Sequence, residues 1–374
     1  MAALPMASLA RHPFFLLATI YAHWGVLMVA AAYRLVDPSL PELGFLSYCV
    51  CIGFEAVLYA NRHLCVTDRA PPPPDVAAAG GSGSSSTWKK KACWAAREVL
   101  FAPRGEMSDA SLPPFDGSDA AYVPSRRAFL AEHAAILLLA VLARRAFDVV
   151  DGAYWYQTVE DNYGPAREGI LRRALLSSSS SSSSSPAVAW REAGVRAWLA
   201  VQFNFPTYAD WQAIYSLCAL GAVGVLGHDH ARWRPLFGDV REAYTLRRYW
   251  GVFWQQFHRT AFVTHARLLA VHVLRIRNRA MQRAVIGILV FALLALMHAL
   301  CLKAQGPRCD TWPVIRWWLL VGGAIIVEDL VCLALRRLVR PARWTYLVGY
   351  VWVFFFFWWS RPKIDFPTVD CEAL

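Results

Sequence analysis

The stretch FALLALMHALCL, residues 291–302, decides the fold class of this chain. It is apolar throughout except for one imidazole, that of His298. Such a stretch is suited to lipid, where a membrane-spanning helix needs about 20 predominantly apolar residues. A titratable ring inside it is costly unless protein groups pair with the ring or use it. We therefore expect a transmembrane helix whose His298 side chain faces the protein interior, where a neutral imidazole suits a general base.

The composition of the whole chain also predicts a membrane protein. Hydrophobic residues make up 57% of the 374 residues and charged residues only 17%. Soluble domains carry about 25% charged residues. Because unpaired backbone groups are costly in lipid, the spans should be helices, which predicts an all-α, polytopic transmembrane bundle. The net charge of +11 is distributed between apolar segments. That distribution favours contact with lipid headgroups and excludes nucleic acid as the expected partner.

Seven apolar stretches have the length of a membrane span: 14–33, 43–60, 128–150, 207–227, 284–303, 313–335 and 344–359. The first could be a secretory signal, but its length favours a retained span. Residues 187–204 are amphipathic and are predicted to lie at the membrane interface, or else to form part of an eighth span. With seven spans, the basic loops 61–127, 228–283 and 336–343 all lie on one side, which the positive-inside rule makes cytosolic.

Two carboxylates next to each other, Glu328 and Asp329, interrupt the sixth apolar stretch. They cannot both face lipid, so one or both should face the protein interior, paired with a basic residue or used in chemistry. Glu55 raises the same question in the second stretch. His228 and His230 have the spacing of metal ligands on a strand, but no third ligand is near, and we expect no metal site.

The stretch Trp233–Arg259 combines aromatic rings with arginines. Its composition predicts a helix at the cytosolic interface, with rings at headgroup depth and arginines directed outward. Such a surface could also bind an anionic ligand, because arginine pairs well with phosphate. Composition alone leaves a simple membrane anchor and a ligand surface both open. Elsewhere, residues 71–93 have the composition of a flexible Pro/Gly/Ser linker, and the serine run 177–185 that of a loop insertion.

Three stretches resemble a known family: WRPLFG (Trp233–Gly238), AYTLRRYWGVFWQQFHR (Ala243–Arg259) and FALLALMHAL (Phe291–Leu300). Together they resemble the fungal wax-synthase-like branch of the membrane-bound O-acyltransferases, several members of which acetylate terpenoid or meroterpenoid alcohols. Weaker likeness extends from Trp94 to Pro362. The apolar stretches and the linker composition predict an N-terminal transmembrane hairpin at 1–70 and a flexible linker at 71–93, and the resemblance implies an acyltransferase core at 94–362, followed by a C-terminal tail at 363–374.

The resemblance also implies the site residues. His298 matches the catalytic histidine of the family, and Gln255 stands where the family usually has His or Asn. The residues expected to bind acyl-CoA are Trp250, Trp254, Arg247, Arg248 and Arg259. Glu328 and Asp329 are supporting candidates. No bound cofactor is expected, and acyl-CoA, with acetyl-CoA favoured, is a co-substrate.

On this interpretation the chain is a multi-pass membrane O-acyltransferase, expected in the endoplasmic reticulum, that acylates a lipophilic alcohol. His298 removes the hydroxyl proton, in a site that excludes water from the thioester. One alternative is a transporter or channel in which His298 and Glu328 line a polar path. Another is a membrane cyclase, in which Glu55, Glu328 and Asp329 would matter and His298 would not.

Overall fold

The structure is a computed structural model, and the residues that it describes are 125–154, 164, 167–177, 190–225, 227, 230, 233, 235–254, 259–305, 310–335 and 343–372. Several sequence predictions lie outside these residues. They include the first two spans, the linker 71–93, most of the serine run, Glu55, His228 and Gln255. The structure does not test these, and they remain predictions.

All regular structure in the described ranges is helical, as the sequence predicts. The α-helices are α1 (Arg126–Tyr154), α2 (Ile170–Ser177), α3 (Trp190–Ala219), α4 (Leu246–Arg248), α5 (Arg259–Leu268), α6 (Arg279–Gln305), α7 (Trp312–Leu335), α8 (Arg343–Ser360) and α9 (Pro362–Glu372). Three π-helical turns follow α3, α4 and α5 directly, at Leu220–Val225, Tyr249–Phe253 and Leu269–Val273.

Four predicted spans coincide with single helices. The stretches 128–150, 284–303, 313–335 and 344–359 fall within α1, α6, α7 and α8. Two segments, Arg279–Leu302 and Trp312–Leu335, are long and apolar enough to cross a membrane. Each belongs to a helix that the apolar stretches had predicted, because a sustained apolar run is a local signal that needs no knowledge of distant partners.

Helix α3 differs from the prediction. Residues 187–204 were predicted to lie at the interface or in part of an eighth span, and 207–227 to form a span of their own. One helix, Trp190–Ala219, instead includes residues of both stretches, with Pro206 inside it. Side chains near the proline bond carbonyls of the preceding turn: Asn204 Nδ2 donates to Ala200 O at 2.6 Å and Thr207 Oγ1 to Phe203 O at 2.7 Å.

The described helices fall into two compact units. The first contains α5 and α6, where Phe262 of α5 forms a buried cluster with Met297 and Cys301 of α6. The second contains α1 to α4 and α7 to α9, and its interior is rich in rings. There Phe203 of α3 lies parallel to Trp254, with ring centroids 6.2 Å apart, and meets the Trp317 ring edge-on at 5.4 Å.

Candidate active site

His298 is held in α6 by its own helix. Its Nδ1 atom lies 2.8 Å from the carbonyl oxygen of Leu294, one turn earlier. A carbonyl oxygen can only accept a hydrogen bond, so Nδ1 must donate. In the neutral ring the lone pair is then on Nε2, because only one nitrogen of a neutral imidazole carries a proton. The helix therefore selects the tautomer in which Nε2 can accept a proton.

The position of His298 around α6 keeps it away from the most exposed side of that helix. An α-helix turns about 100° per residue, so His298 lies roughly opposite Leu296, which is 50% exposed. Its neighbours around the helix, Ala295 and Cys301, are both buried. His298 itself is half-buried. The ring thus lies on the less exposed side of α6.

Glu328 organises the second unit. Its Oε2 atom accepts hydrogen bonds from the backbone N–H of Leu246 and from Trp352 Nε1, both at 2.7 Å, and its Oε1 accepts from the N–H of Arg247 at 3.0 Å. The side chain is buried. This carboxylate of α7 therefore caps the start of α4, together with the Thr245 hydroxyl, which accepts from Arg248 N at 3.1 Å. The first N–H groups of a helix have no partner within it, and caps of this kind satisfy them.

The arginines next to that cap are engaged with carboxylates. Arg247 binds Asp329 through Nε, at 2.7 Å, and through Nη2. Arg248 pairs with Glu242, and its guanidinium carbon lies 4.9 Å from the centre of the Tyr244 ring. The expectation that Glu328 and Asp329 face protein groups is confirmed. Both carboxylates bind Arg247, which had been assigned to acyl-CoA.

The interfacial-helix interpretation of Trp233–Arg259 is wrong for the described part of that stretch. Residues 235–254 form a 3₁₀ turn (Val240–Glu242), the short α4 and a π-helical turn. Leu246, Tyr249 and Trp254 are buried. The rings therefore pack inside the second unit instead of lying on the surface of a separate helix. Composition could not show this, because the same aromatic residues serve equally well at a bilayer surface or in an interior.

The aromatic part of the site is tightly packed. The Trp250 ring lies 5.8 Å from that of Trp254 and 5.2 Å from that of Trp318. The Tyr249 hydroxyl donates to Asn204 of α3. Burial raises the pKa of Tyr249 well above its usual value, so the hydroxyl keeps its proton and stays a donor. These contacts fix the backbone that leads directly to Gln255, which itself lies outside the described residues.

Arg259 begins α5 in the first unit and is exposed. From there to residue 305 the sequence contains six arginines and one lysine but no Asp or Glu. Arg267, Arg275, Arg277, Arg279 and Arg283 are all exposed. In the described part of the chain, no three His, Cys, Asp or Glu side chains gather as metal ligands.

Sequence reasoning missed two buried polar groups of the second unit. Glu192 of α3 accepts from Arg196 Nε at 3.0 Å and also from Arg173 of α2, and all three side chains are buried. His133 of α1 lies 3.1 Å from the Ser216 hydroxyl of α3. The spacing of Glu192 and Arg196, four residues apart, could have signalled an ion pair on one helix face. The contact between His133 and Ser216 has no local signal.

Comparison with known families identifies part of this region. Residues 233–321, which include the Glu328-capped segment, Trp254, α5 and His298, match the membrane bound O-acyl transferase family. The sequence resemblance to that family is thereby confirmed.

Individual relatives are fungal acetyltransferases. The chain is 31% identical to acetyltransferase aurG of Calcarisporium arbuscula over 255 residues, which are 67% of this chain and 60% of that protein. It is 32% identical to acetyltransferase ataH of Aspergillus terreus over 157 residues, which are 41% of this chain and 52% of the relative. The chain thus spans little more than half the length of these relatives. Residues 233–321 of this chain are thus similar to the membrane bound O-acyl transferase family, and the described part of the chain contains two helices that are long and apolar enough to cross a membrane.

Proposed function

We propose that this chain is an O-acetyltransferase of fungal secondary metabolism, which transfers an acetyl group from acetyl-CoA to the hydroxyl of a lipophilic alcohol. The names of its relatives support the reaction class. The observation that carries the proposal is the hydrogen bond from His298 Nδ1 to Leu294 O. It prepares Nε2 to act as a base within an apolar helix.

The chemistry needs one base and no covalent intermediate on the protein. His298 Nε2 takes the proton of the acceptor hydroxyl as its oxygen attacks the thioester carbonyl. The tetrahedral intermediate then expels the CoA thiolate, which takes the proton back from the imidazolium. The products are the acetate ester and CoA. An apolar surrounding excludes water, which would otherwise hydrolyse the donor.

Gln255 is proposed to support this reaction as a hydrogen-bonding side chain next to the developing charge. The structure shows how the preceding backbone is held, through Glu328 at its start and the packed ring of Trp254 at its end. Glu328 and Asp329 then act as supporting residues that position the segment. Trp250 and Trp254 are proposed to contact the donor from the same segment.

Acetyl-CoA carries several phosphate charges and comes from the cytosol, so it should meet an arginine-rich face. Arg247, Arg248 and Arg259 are the predicted contacts, and the exposed arginines between residues 267 and 283 are further candidates because that stretch contains no acidic residue. Arginine pairs well with phosphate, because its planar guanidinium can donate two parallel N–H···O bonds. We propose the endoplasmic reticulum as the membrane, with these residues on its cytosolic side.

The alternatives are less well supported. A transport path would expose Glu328 to passing solute, whereas this carboxylate is buried and accepts three hydrogen bonds. A cyclase would need Glu328 or Asp329 as a proton donor, yet Asp329 is paired with Arg247.

The direct test is His298→Ala, expressed in yeast microsomes and assayed with radiolabelled acetyl-CoA against alcohols from fungal lipid extracts. Loss of a general base should slow transfer by a factor of about 10² to 10⁴. The matched control is His272→Ala in the same unit. It should keep transfer within about twofold of the parent, because no catalytic role is assigned to His272. Retention of full transfer by His298→Ala would refute the proposed mechanism.

A further inference from the structure

An open groove of about 490 Å³ runs between α1 and α3 in the second unit. Ala143, Ala146 and Phe147 of α1 line one side of it, and Trp198, Val201 and Phe205 of α3 line the other. Ligand pockets have volumes of roughly 300–1,000 Å³. The groove is therefore large enough for a small lipophilic molecule, although neither the family match nor the relatives assign any role to it.

The sequence explains why a groove forms here. Positions 143, 146, 147 and 150 lie on one face of α1, since helix residues three and four apart are neighbours. Two of them are alanines, whose short side chains leave space between the helices. On α3 the facing positions carry large rings, and the Trp198 ring stacks on that of Phe147 with centroids 4.9 Å apart. The Phe205 ring lies 5.5 Å from the same phenylalanine, which gives the groove an aromatic wall.

A carboxylate follows a groove-lining residue of α1 in sequence and is bound by α3. Asp151 follows Val150, and its carboxylate oxygens accept hydrogen bonds from Trp198 Nε1 at 2.6 Å and Gln202 Nε2 at 3.2 Å. Both donors come from α3, so the carboxylate is oriented by the helix that forms the opposite wall. A carboxylate has about four lone-pair positions. Two bonds therefore leave it able to accept a third from a hydroxyl.

We propose that this groove binds the acceptor alcohol, with the hydrocarbon skeleton against Phe147, Trp198 and Phe205 and the hydroxyl donating to Asp151. The inference rests on the proposed function, since it assigns a place to the lipophilic acceptor. The class of ligand is an uncharged terpenoid-like alcohol, in which one hydroxyl stands at the end of an apolar body. The groove is a docking site for the substrate, and the transfer chemistry belongs to His298.

Complementarity favours an alcohol over a membrane lipid. The groove continues into exposed apolar surface, where Val149 and Leu142 are 71% and 56% exposed. Lipophilic molecules can therefore reach it from the bilayer. A phospholipid chain has no donor to offer Asp151, and its phosphate would be repelled by the carboxylate. An alcohol can pack its hydrocarbon skeleton against the aromatic wall and donate its hydroxyl hydrogen to Asp151.

The test uses photolabelling, which reports binding without turnover. Microsomes that contain the full chain are irradiated with a diazirine analogue of farnesol, and the labelled peptides are identified by mass spectrometry. We expect labels on the peptides that contain residues 143–151 and 198–205. Unlabelled farnesol should compete at a concentration at least about tenfold lower than farnesyl acetate, which lacks the donating hydroxyl.

Variants locate the binding. Ala146→Leu fills the groove and should raise the farnesol concentration for half-competition about tenfold, while Ala134→Leu, an exposed alanine of the same helix, should leave it unchanged. Asp151→Asn keeps the shape of the side chain and should remove most of the preference for farnesol over farnesyl acetate. This variant tests the proposal even if Ala146→Leu disturbs folding. Labelling that is unchanged in Ala146→Leu, or competed equally by farnesyl acetate or phosphatidylcholine, would overturn the proposal.

The two proposals can fail separately. His298→Ala should lose acetyl transfer and keep groove labelling, because the histidine is not part of the groove. If transfer survives in His298→Ala while labelling behaves as expected, the groove stands and the catalytic proposal fails. If the parent chain shows no groove labelling while transfer still depends on His298, the catalytic proposal stands and the groove proposal fails.

Discussion

Two arginine-rich segments of this chain differ in what surrounds their charges. In the second unit, Arg247 and Arg248 are bound to Asp329 and Glu242, and buried Glu328 lies beneath them. In the first unit, residues 259–305 contain seven basic residues and no Asp or Glu. We call these the paired segment (residues 241–248) and the cationic segment (residues 259–305). In the paired segment, the arginines bind carboxylates and hold the backbone in place. In the cationic segment, the sequence supplies no acidic residue to pair with the basic ones.

Arginine content alone therefore does not identify a phosphate-binding surface. An arginine already bound to a carboxylate must break that interaction before it can bind a phosphate, so its gain on ligand binding is reduced. Glu328 and Asp329, which both bind Arg247, lie about 80 positions away in the sequence. The paired segment and the part of the cationic segment up to residue 283 were predicted to be cytosolic. Three changes test whether one is structural and the other electrostatic.

The largest expected effect comes from Gly349→Ala in α8, against which the paired segment packs. A Cβ at this position would overlap the carbonyl oxygen of Tyr244 and lie 3.1 Å from its carbonyl carbon. Backbone atoms cannot move aside as a flexible side chain can, so overpacking should cost at least about 3 kcal/mol of stability. We expect a large drop in the yield of monodisperse protein after detergent extraction, and a strongly lowered melting temperature for what remains.

Gly287→Ala in α6 is the matched control, because a Cβ there meets nothing within 4 Å. It should leave stability unchanged or raise it, since alanine favours a helix over glycine by about 1 kcal/mol. Equal melting temperatures for the two variants would show that the paired segment does not rest against α8 as described.

The next effect is that of Glu328→Gln. The amide keeps one oxygen and replaces the other with a donor, which would face either the N–H of Arg247 or those of Leu246 and Trp352. Leaving one buried donor without an acceptor costs about 1–3 kcal/mol, so we expect a melting temperature lower by several degrees. Acetyl transfer should fall in parallel, because the capped segment leads to Gln255. Asp329→Asn, which alters only an exposed ion pair, should lower the melting temperature much less.

The difference between Glu328 and His298 shows how much the sequence can predict. His298 was identifiable because one polar ring interrupts an apolar run, and its partner Leu294 is four residues away. The spans at 128–150, 284–303, 313–335 and 344–359 were predictable for the same reason, since each depends on local composition. Glu328 was recognisable as anomalous, but its role was not, because its partners Leu246 and Trp352 come from separate elements.

The fold around Trp233–Trp254 was predicted least well. Short turns follow one another there, and each is fixed by tertiary contacts such as Tyr350 Oη donating to Arg241 O at 2.6 Å. Propensity and periodicity give no signal for such turns, because the free energy that stabilises them comes from packing. The groove between α1 and α3 was likewise invisible, since it depends on which helices are neighbours.

The smallest effect tests the electrostatic half of the comparison. The double variant Arg275→Gln/Arg277→Gln should raise the KM for acetyl-CoA about fivefold in low salt, and Arg247→Gln/Arg248→Gln should raise it less. Added salt should reduce the KM difference between Arg275→Gln/Arg277→Gln and the parent, because the screening length falls from about 10 Å at 0.1 M to about 3 Å at 1 M ionic strength. Conversely, the second variant should show the lower melting temperature, since it breaks two ion pairs that hold the capped segment.

The reverse pattern would be equally informative. If Arg247 and Arg248 control the KM for acetyl-CoA and its salt dependence, their carboxylate partners must be displaced when the donor binds. Asp329→Asn should then lower the KM in the parent background, because it releases Arg247 for the phosphates. If Asp329→Asn instead leaves the KM unchanged while Arg275→Gln/Arg277→Gln raises it, the paired segment serves structure alone and the cationic segment receives the donor.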